Sequence, residues 1–433
     1  MSAPIWDLNF QLVLIGSLLI GATGGMLGTF AVLRKRSLLG DALAHAALPG
    51  VAGAFLLTGS KALPILITGA TFTGVLGVLL IQFVVSQTRI KSDAALGIVL
   101  SVFFGVGIVL LTHIQQSGVG NQSGLDKFLF GQAASIIGSD VKVMCVLSTL
   151  VLVAVGAFYK EFKALIFDPD YLSSVGYSAR GIDLLLMGLI VLTVMVGLQT
   201  VGVILIAAML ITPAVSARFW TEKLGTMLTI ATILGALSGL AGTWISTLAP
   251  KIPTGPVMVL VATGGFVVSA LFAPKRGVLA RLLRLRDNRR RESRHHFLRA
   301  YAEVSEAAGV RTGLAVSSVA EHLGLEMGSA SREARRLVRG GWLVQSGDRI
   351  SLTNQGQRDA EFVLKSHRLW EHYLVHRSNL KLDHVDRPAD DVEHILTPEI
   401  VAALEETLRE AEVDIQSPES VHPTDRSARG ARA

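Results

Sequence analysis

The chain has 433 residues, half of them hydrophobic, a formal net charge of +6 and a single cysteine, and its mean hydropathy is +0.50. That composition excludes an ordinary soluble enzyme, and one thiol excludes an internal disulfide framework. The charge is unevenly spread: residues from about 10 to 272 are apolar and rich in glycine, and the remainder of the chain is charged and water-soluble in character.

Runs of about 18 or more apolar residues match a bilayer core of roughly 30 Å. They predict an all-α polytopic bundle of nine spans, at 10–33, 38–58, 63–84, 94–113, 140–158, 182–198, 201–217, 224–248 and 256–273. The span at 201–217 is short and contains Pro213, the signature of a broken or re-entrant segment. No Lys or Arg precedes the first span, only Asp7, so no cleaved signal peptide is expected. Basic residues gather in alternate loops: Arg34, Lys35 and Arg36; Arg89 and Lys91; Lys160 and Lys163; Arg218 and Lys223; Lys275 and Arg276. The positive-inside rule then puts the N-terminus outside and the C-terminus in the cytoplasm. In the first span, Gly21 with Gly25 and Gly24 with Gly28 form two overlapping small-xxx-small pairs, a device for close helix packing. Cys145 lies in an apolar span and reads as a buried structural thiol.

At the start of the second span, Asp41 and His45 stand four apart and share a helix face. A carboxylate and an imidazole in an apolar helix are costly, so they act either in function or as a pair that locks two helices. A hard oxygen beside a borderline nitrogen suits Mn²⁺, Fe²⁺ or Zn²⁺ better than Ca²⁺. Pro49 and Gly50 come next on the same helix and are expected to loosen it. Between the spans at 140–158 and 182–198 comes Asp168-Pro169-Asp170-Tyr171, with Gly176 beyond it. Asp168 reads as an N-cap, Pro169 as the first helical residue and Gly176 as the C-cap of one short helix at the cytoplasmic surface. It is either an ordinary loop helix or a coupling helix that docks into an ATPase.

The segment from Leu33 to Gly50, the Asp-Pro-Asp-Tyr loop, and the stretch from Val201 to Ala214 together resemble the permease subunits of zinc/manganese/iron ABC importers. The resemblance covers roughly residues 8–275 and specifies the family, not one metal. It implies a dimeric permease, paired with itself or with a related subunit. It also implies a cytosolic ABC ATPase and an extracytoplasmic metal-binding protein as partners. Asp41 and His45 become candidates for a metal site in the translocation path, and Asp168–Gly176 for the coupling helix. The chain has no phosphate-cradling loop of the G-x-x-x-x-G-K type, so it is expected to bind no nucleotide itself.

Residues 276–296 are expected to form a basic helical connector lying against anionic membrane lipid. Beyond it, helices are predicted at Ala300–Ala308, at Ser317–Leu323 with Ser317 or Ser318 as cap, and at Ser329–Gly340. Gly347-Asp348 then punctuates a hairpin. Helix–turn–helix plus hairpin is a winged helix over 297–360, either a DNA reader or a protein-interaction module. Ser329, Ser331, Arg332 and Arg335 on its third helix are the candidate DNA contacts, expected to be exposed. A helical segment at 361–416 carries His367 and Glu371, four apart, then Asp390, Glu393 and His394. Such a mixed nitrogen and oxygen set is either a site of the kind first-row divalent metals favour or the polar face of surface helices.

The order His-x₃-Glu, then Asp-x₂-Glu-His, directly after a winged helix, resembles the diphtheria-toxin-repressor/manganese-transport-regulator family over about 297–412. That resemblance implies that His367, Glu371, Asp390, Glu393 and His394 bind a regulatory metal. The family also draws ligands from its first helix. The corresponding positions here are His295 and Leu298, and leucine cannot ligate; Asp386 stands where a histidine is common. The tail 417–433 reads as disordered. The expectation is a divalent-metal import permease with a metal-responsive regulatory domain at its C-terminal end. The rival readings are a membrane-anchored metal-dependent transcription regulator and an ion-driven secondary transporter.

Overall fold

The computed structural model describes residues 8–36, 38–60, 62–116, 136–200, 202–248, 252–310, 313–378 and 396–409. The chain divides into two compact units, 1–281 and 282–433. In the first unit the long helices are α1 (Leu8–Leu33), α2 (Leu39–Thr58), α3 (Leu63–Gln87), α4 (Ser92–Gln116) and α5 (Gly138–Ala157). After the short α6 (Tyr159–Phe167) and α7 (Pro169–Ser174) come α8 (Ala179–Thr200), α9 (Val203–Trp220), α10 (Leu224–Ser246) and α11 (Thr254–Phe272).

Among the described residues, eight helices are long and apolar enough to cross a membrane, and the apolar stretch of α9 is shorter. The span at 201–217 is not broken. It forms the continuous α9 with Pro213 inside it, and Gly202 at φ 88° turns the chain into its start. Long helices apolar on all sides are solvated by lipid outside and by one another inside. Accordingly Leu27, Phe30, Leu43 and Leu96 are buried while Phe72, Phe83, Val109 and Leu260 face outward. Cys145 is half-buried at the edge of this core instead of fully enclosed.

The glycine pairs have clear partners. Helix α1 lies along α10, where a methyl group on Gly21 would overlap the Gly235 carbonyl and one on Gly25 the Ala231 carbonyl. Backbone contact this close replaces the missing hydrophobic drive between membrane helices with dispersion. Gly50 plays the same part between α2 and α3, packed on the Gly69 carbonyl. Helix α2 stays continuous through Pro49, so the Pro-Gly step serves helix approach there.

In the second unit, α12 (Val278–Ala308) runs as one helix through the expected connector and the expected first helix of the winged domain. Then come β1 (Leu314–Ala315), α13 (Val316–Leu323), α14 (Met327–Arg339), β2 (Leu343–Ser346), β3 (Arg349–Leu352), α15 (Asn354–Ser378) and α16 (Pro398–Arg409). The sheet is antiparallel in the order β1-β3-β2, with Gly347 at φ 62° turning the hairpin. Phe297, Tyr301, Val319, Ala334, Leu337 and Ile350 form its core, and Leu369, Val401, Leu404 and Leu408 join α15 to α16. Helix α13 is capped by Ala315 with no side-chain bond, not by Ser317 or Ser318.

Candidate functional site

Asp41 lies in the first turn of α2 and His45 one turn on. His45 Nε2 is 3.4 Å from Asp41 Oδ1, and the Asp41 side chain keeps 36% of its exposure. The imidazole stands edge-on to Phe104 of α4, with ring centroids 4.8 Å apart. Its other nitrogen, Nδ1, is buried without a hydrogen-bond partner among the described residues. A buried polar atom left unpaired costs about 1–3 kcal/mol, so native proteins keep few of them without a use. Pro49 adds a local feature: it has no N–H to offer the carbonyl of residue 45, its partner four residues back. The site thus presents an open carboxylate and an imidazole with an idle ring nitrogen, ligand chemistry suited to a transient divalent ion.

The short helix α7 forms as its sequence dictates. Asp168 Oδ1 accepts from Tyr171 N at 2.9 Å, and Pro169 occupies the first helical position. Val175 is the C-cap and Gly176, at φ 94°, is the residue after it. Tyr177 N donates to Leu172 O at 3.2 Å to close the end. Leu172 is buried and pins the helix to the bundle, while Phe167, Tyr171, Val175 and Tyr177 are exposed. Asp170, in the first turn, is also exposed. Three aromatic rings outside the apolar spans make a surface suited to a protein partner.

A cluster that the sequence does not reveal ties these two features together. Asp183, near the start of α8, is buried. Its Oδ1 lies 2.9 Å from Arg34 Nη2, and its Oδ2 lies 3.2 Å from Arg36 Nη1 and 3.4 Å from Gln82 Nε2. Arg34 Nη1 also donates to the Leu165 carbonyl at 3.3 Å, on α6. Lys35 adopts a left-handed φ of 56°, so the turn between α1 and α2 closes with Arg36 N bonded to Ala31 O. Burial lowers the Arg34 pKa and Asp183 opposes that shift. The turn that leads into the Asp41–His45 helix is thereby clamped to the helix after α7.

In the C-terminal unit, His367 and Glu371 on α15 are both buried, with His367 Nε2 3.2 Å from Glu371 Oε1. The Arg299 guanidinium of α12 meets the other ring nitrogen, Nη1 to Nδ1 at 2.6 Å. Arg299 Nε lies 3.5 Å from Glu303 Oε1, and Glu303 Oε2 is 2.7 Å from His322 Nε2. Among the described residues no three metal-ligating side chains converge. In this arrangement both ring nitrogens of His367 are engaged, so it does not fit a metal ligand as it stands. Asp390, Glu393 and His394 lie outside the described residues. On α14, Arg332 and Arg335 are exposed as expected, but Ser329 and Ser331 are both half-buried, and Ser329 Oγ accepts from Arg332 Nη2 at 2.9 Å. The periodicity of α14 explains the difference: the serines flank Ala330, which points into the core.

Residues 7–273 match the ABC 3 transport family. The chain belongs to that family. Residues 353–419 match the iron dependent repressor, metal binding and dimerisation domain. The manganese transport system membrane protein MntC of Bacillus subtilis is 46% identical over 86% of this chain and 85% of its own length. The zinc transport system membrane protein TroC of Treponema pallidum is 45% identical over 65% of this chain and 94% of its own. Among solved structures, PsaBC from Streptococcus pneumoniae in complex with Fab matches at TM-score 0.57 and 32% identity, covering 65% of this chain and 97% of that one. As a member of the ABC 3 family the chain is a multi-pass membrane protein and a transporter component.

The Glu303–His322 pair gives the C-terminal unit a pH dependence. Burial alone would raise the Glu303 carboxyl, but the His322 hydrogen bond and the charges of Arg299 and His322 outweigh it and hold it below the usual range. A depressed folded-state pKa contributes stability that is present above the unfolded value and lost as pH falls through the folded one. His322→Gln is therefore expected to lower the melting temperature of this unit at neutral pH. The gap from wild type should close as pH falls below the carboxylate range, which thermal unfolding across that range will read.

Proposed function

We propose that the chain is the inner-membrane permease subunit of an ABC importer for a divalent transition metal, manganese, zinc or iron, and that its C-terminal unit regulates it. The observation that carries this reading is the open Asp41 carboxylate beside a His45 imidazole whose Nδ1 is buried and unpaired among the described residues, in a chain of the ABC 3 family. An extracytoplasmic binding protein delivers the ion, and two permease subunits form the pathway between them. Asp41 and His45 hold the ion briefly as the path opens inward. A cytosolic ATPase docks on the Pro169–Ser174 helix through the exposed Phe167, Tyr171 and Tyr177. The clamp at Asp183 carries its movement to α2.

The C-terminal unit, a winged helix followed by the repressor-like segment, lies on the cytoplasmic side and acts by feedback on the permease. That requires no release from the membrane. DNA contact through Arg332 and Arg335, which are exposed on α14, is the second reading; footprinting with the membrane-embedded chain tests it. For transport, the test is uptake of radioactive Mn²⁺ by cells carrying the importer with residues 168–176 replaced by a flexible linker. Uptake should vanish while the protein still reaches the membrane. Uptake that persists would indicate a secondary transporter driven by an ion gradient.

A further inference from the structure

We propose that Arg299 is a lock on His367 that a metal ion must displace before the C-terminal unit can bind it. This rests on the reading of that unit as metal-responsive. A guanidinium has five N–H donors and no acceptor. With Arg299 Nη1 2.6 Å from His367 Nδ1, that nitrogen has to be the acceptor, so its lone pair is used. A neutral imidazole then carries its proton on Nε2, the nitrogen that faces Glu371 Oε1 at 3.2 Å. Neither nitrogen has a lone pair left for a metal. Binding through Nδ1 requires Arg299 to leave. Binding through Nε2 requires the proton to move to Nδ1, and a guanidinium cannot receive a hydrogen bond from it. Both routes meet the same obstacle.

The charges point the same way. Arg299, His367 and Glu371 are all buried. Arg299 also lies 3.5 Å from the Glu303 carboxylate. Taking the guanidinium away makes the surroundings of Glu303 and Glu371 one unit more negative, a change that favours a divalent ion. A second cation brought beside a resident guanidinium in a poorly solvated site is repelled. The lock also joins α12 to α15, and its neighbour Arg368 pairs with Glu306 across the same two helices. Metal-dependent release would therefore loosen the joint between the winged domain and the repressor-like segment. Arg299 acts through His367 and is a positioning residue.

The test uses the purified full-length chain carrying Asp41→Ala and His45→Ala, so that residual affinity reports the C-terminal unit. Co²⁺ is titrated by its d–d absorption and Mn²⁺ by competition against it. Arg299→Gln supplies an amide that can accept as well as donate, so either tautomer of His367 becomes accessible. Metal should then bind about tenfold or more tighter than in the Arg299 parent, the scale on which a neighbour of a ligand moves affinity. Arg299→Lys keeps a cation that only donates, and its affinity should stay within about threefold of the parent. Melting temperatures check that both variants fold. Equal affinity of the Gln variant and the parent, or of the Gln and Lys variants, overturns the lock while leaving the metal-responsive reading intact. No binding in any of the three chains overturns both.

Discussion

Replacing His45 by alanine is expected to reduce metal uptake by more than about 100-fold per folded molecule, a larger loss than a neighbour of a ligand would give. Among the described residues the imidazole forms no hydrogen bond to another helix that could make it a structural tie. It meets Asp41 one turn back and the edge of Phe104. Losing that ring contact costs about 0.5–1.5 kcal/mol beyond the buried area, too little to unfold a bundle this large. Asp41→Asn keeps the size and removes the charge, and should fall to the same level of uptake. The measurement is initial uptake of radioactive Mn²⁺ and Zn²⁺ normalised to protein in the membrane, with the melting temperature of each purified variant alongside. If the pair served only to fasten helices, the alanine variant would melt early and the folded fraction would transport normally. Normal uptake per folded molecule removes the metal assignment.

Features set by local chemistry were legible in the sequence, and features set by distant partners were not. Asp41 and His45 stood out because ionisable side chains in apolar helices are expensive, and four-residue spacing placed them on one face. The short helix at Pro169 was readable because capping is local: Asp168, Pro169 and Gly176 lie within nine residues of one another. Asp183 and Arg299 were not readable. Asp183 stands at the end of an apolar run beside Arg180, like any interfacial charge, and its partner Arg36 is 147 residues away. Arg299 comes after a string of arginines on a basic helix, and only the fold brings it against His367. The caps and faces of the winged domain failed on a smaller scale. Ser317 and Ser318 fit a capping pattern, but the short strand at Leu314 pairs with Ile350 and lets the helix begin at Val316. Long-range pairing overrode local propensity in each case.

Asp183→Ala should abolish coupled uptake and also destabilise the bundle, and the two effects can be separated. The substitution leaves Arg34 and Arg36 facing each other with side-chain exposures of only 16% and 21%. Removing one partner of a buried ion pair costs about 3–5 kcal/mol; residual solvent access here brings the expected loss to about 2–3 kcal/mol. For a unit of this size that lowers the melting temperature by several degrees. If the clamp were only structural, restoring neutrality would restore everything. The triple variant Arg34→Gln, Arg36→Gln, Asp183→Asn keeps hydrogen-bonding side chains at all three positions without charge, so stability should return toward wild type. Uptake should remain lost, because neutral amides hold the α1–α2 turn to α8 too weakly to carry a movement of α7 to Asp41 and His45. In the assembled importer, ATP hydrolysis should continue without transport. Recovery of uptake together with stability in the triple variant would reduce the clamp to a packing feature and leave the route from α7 to the metal helix to be sought elsewhere.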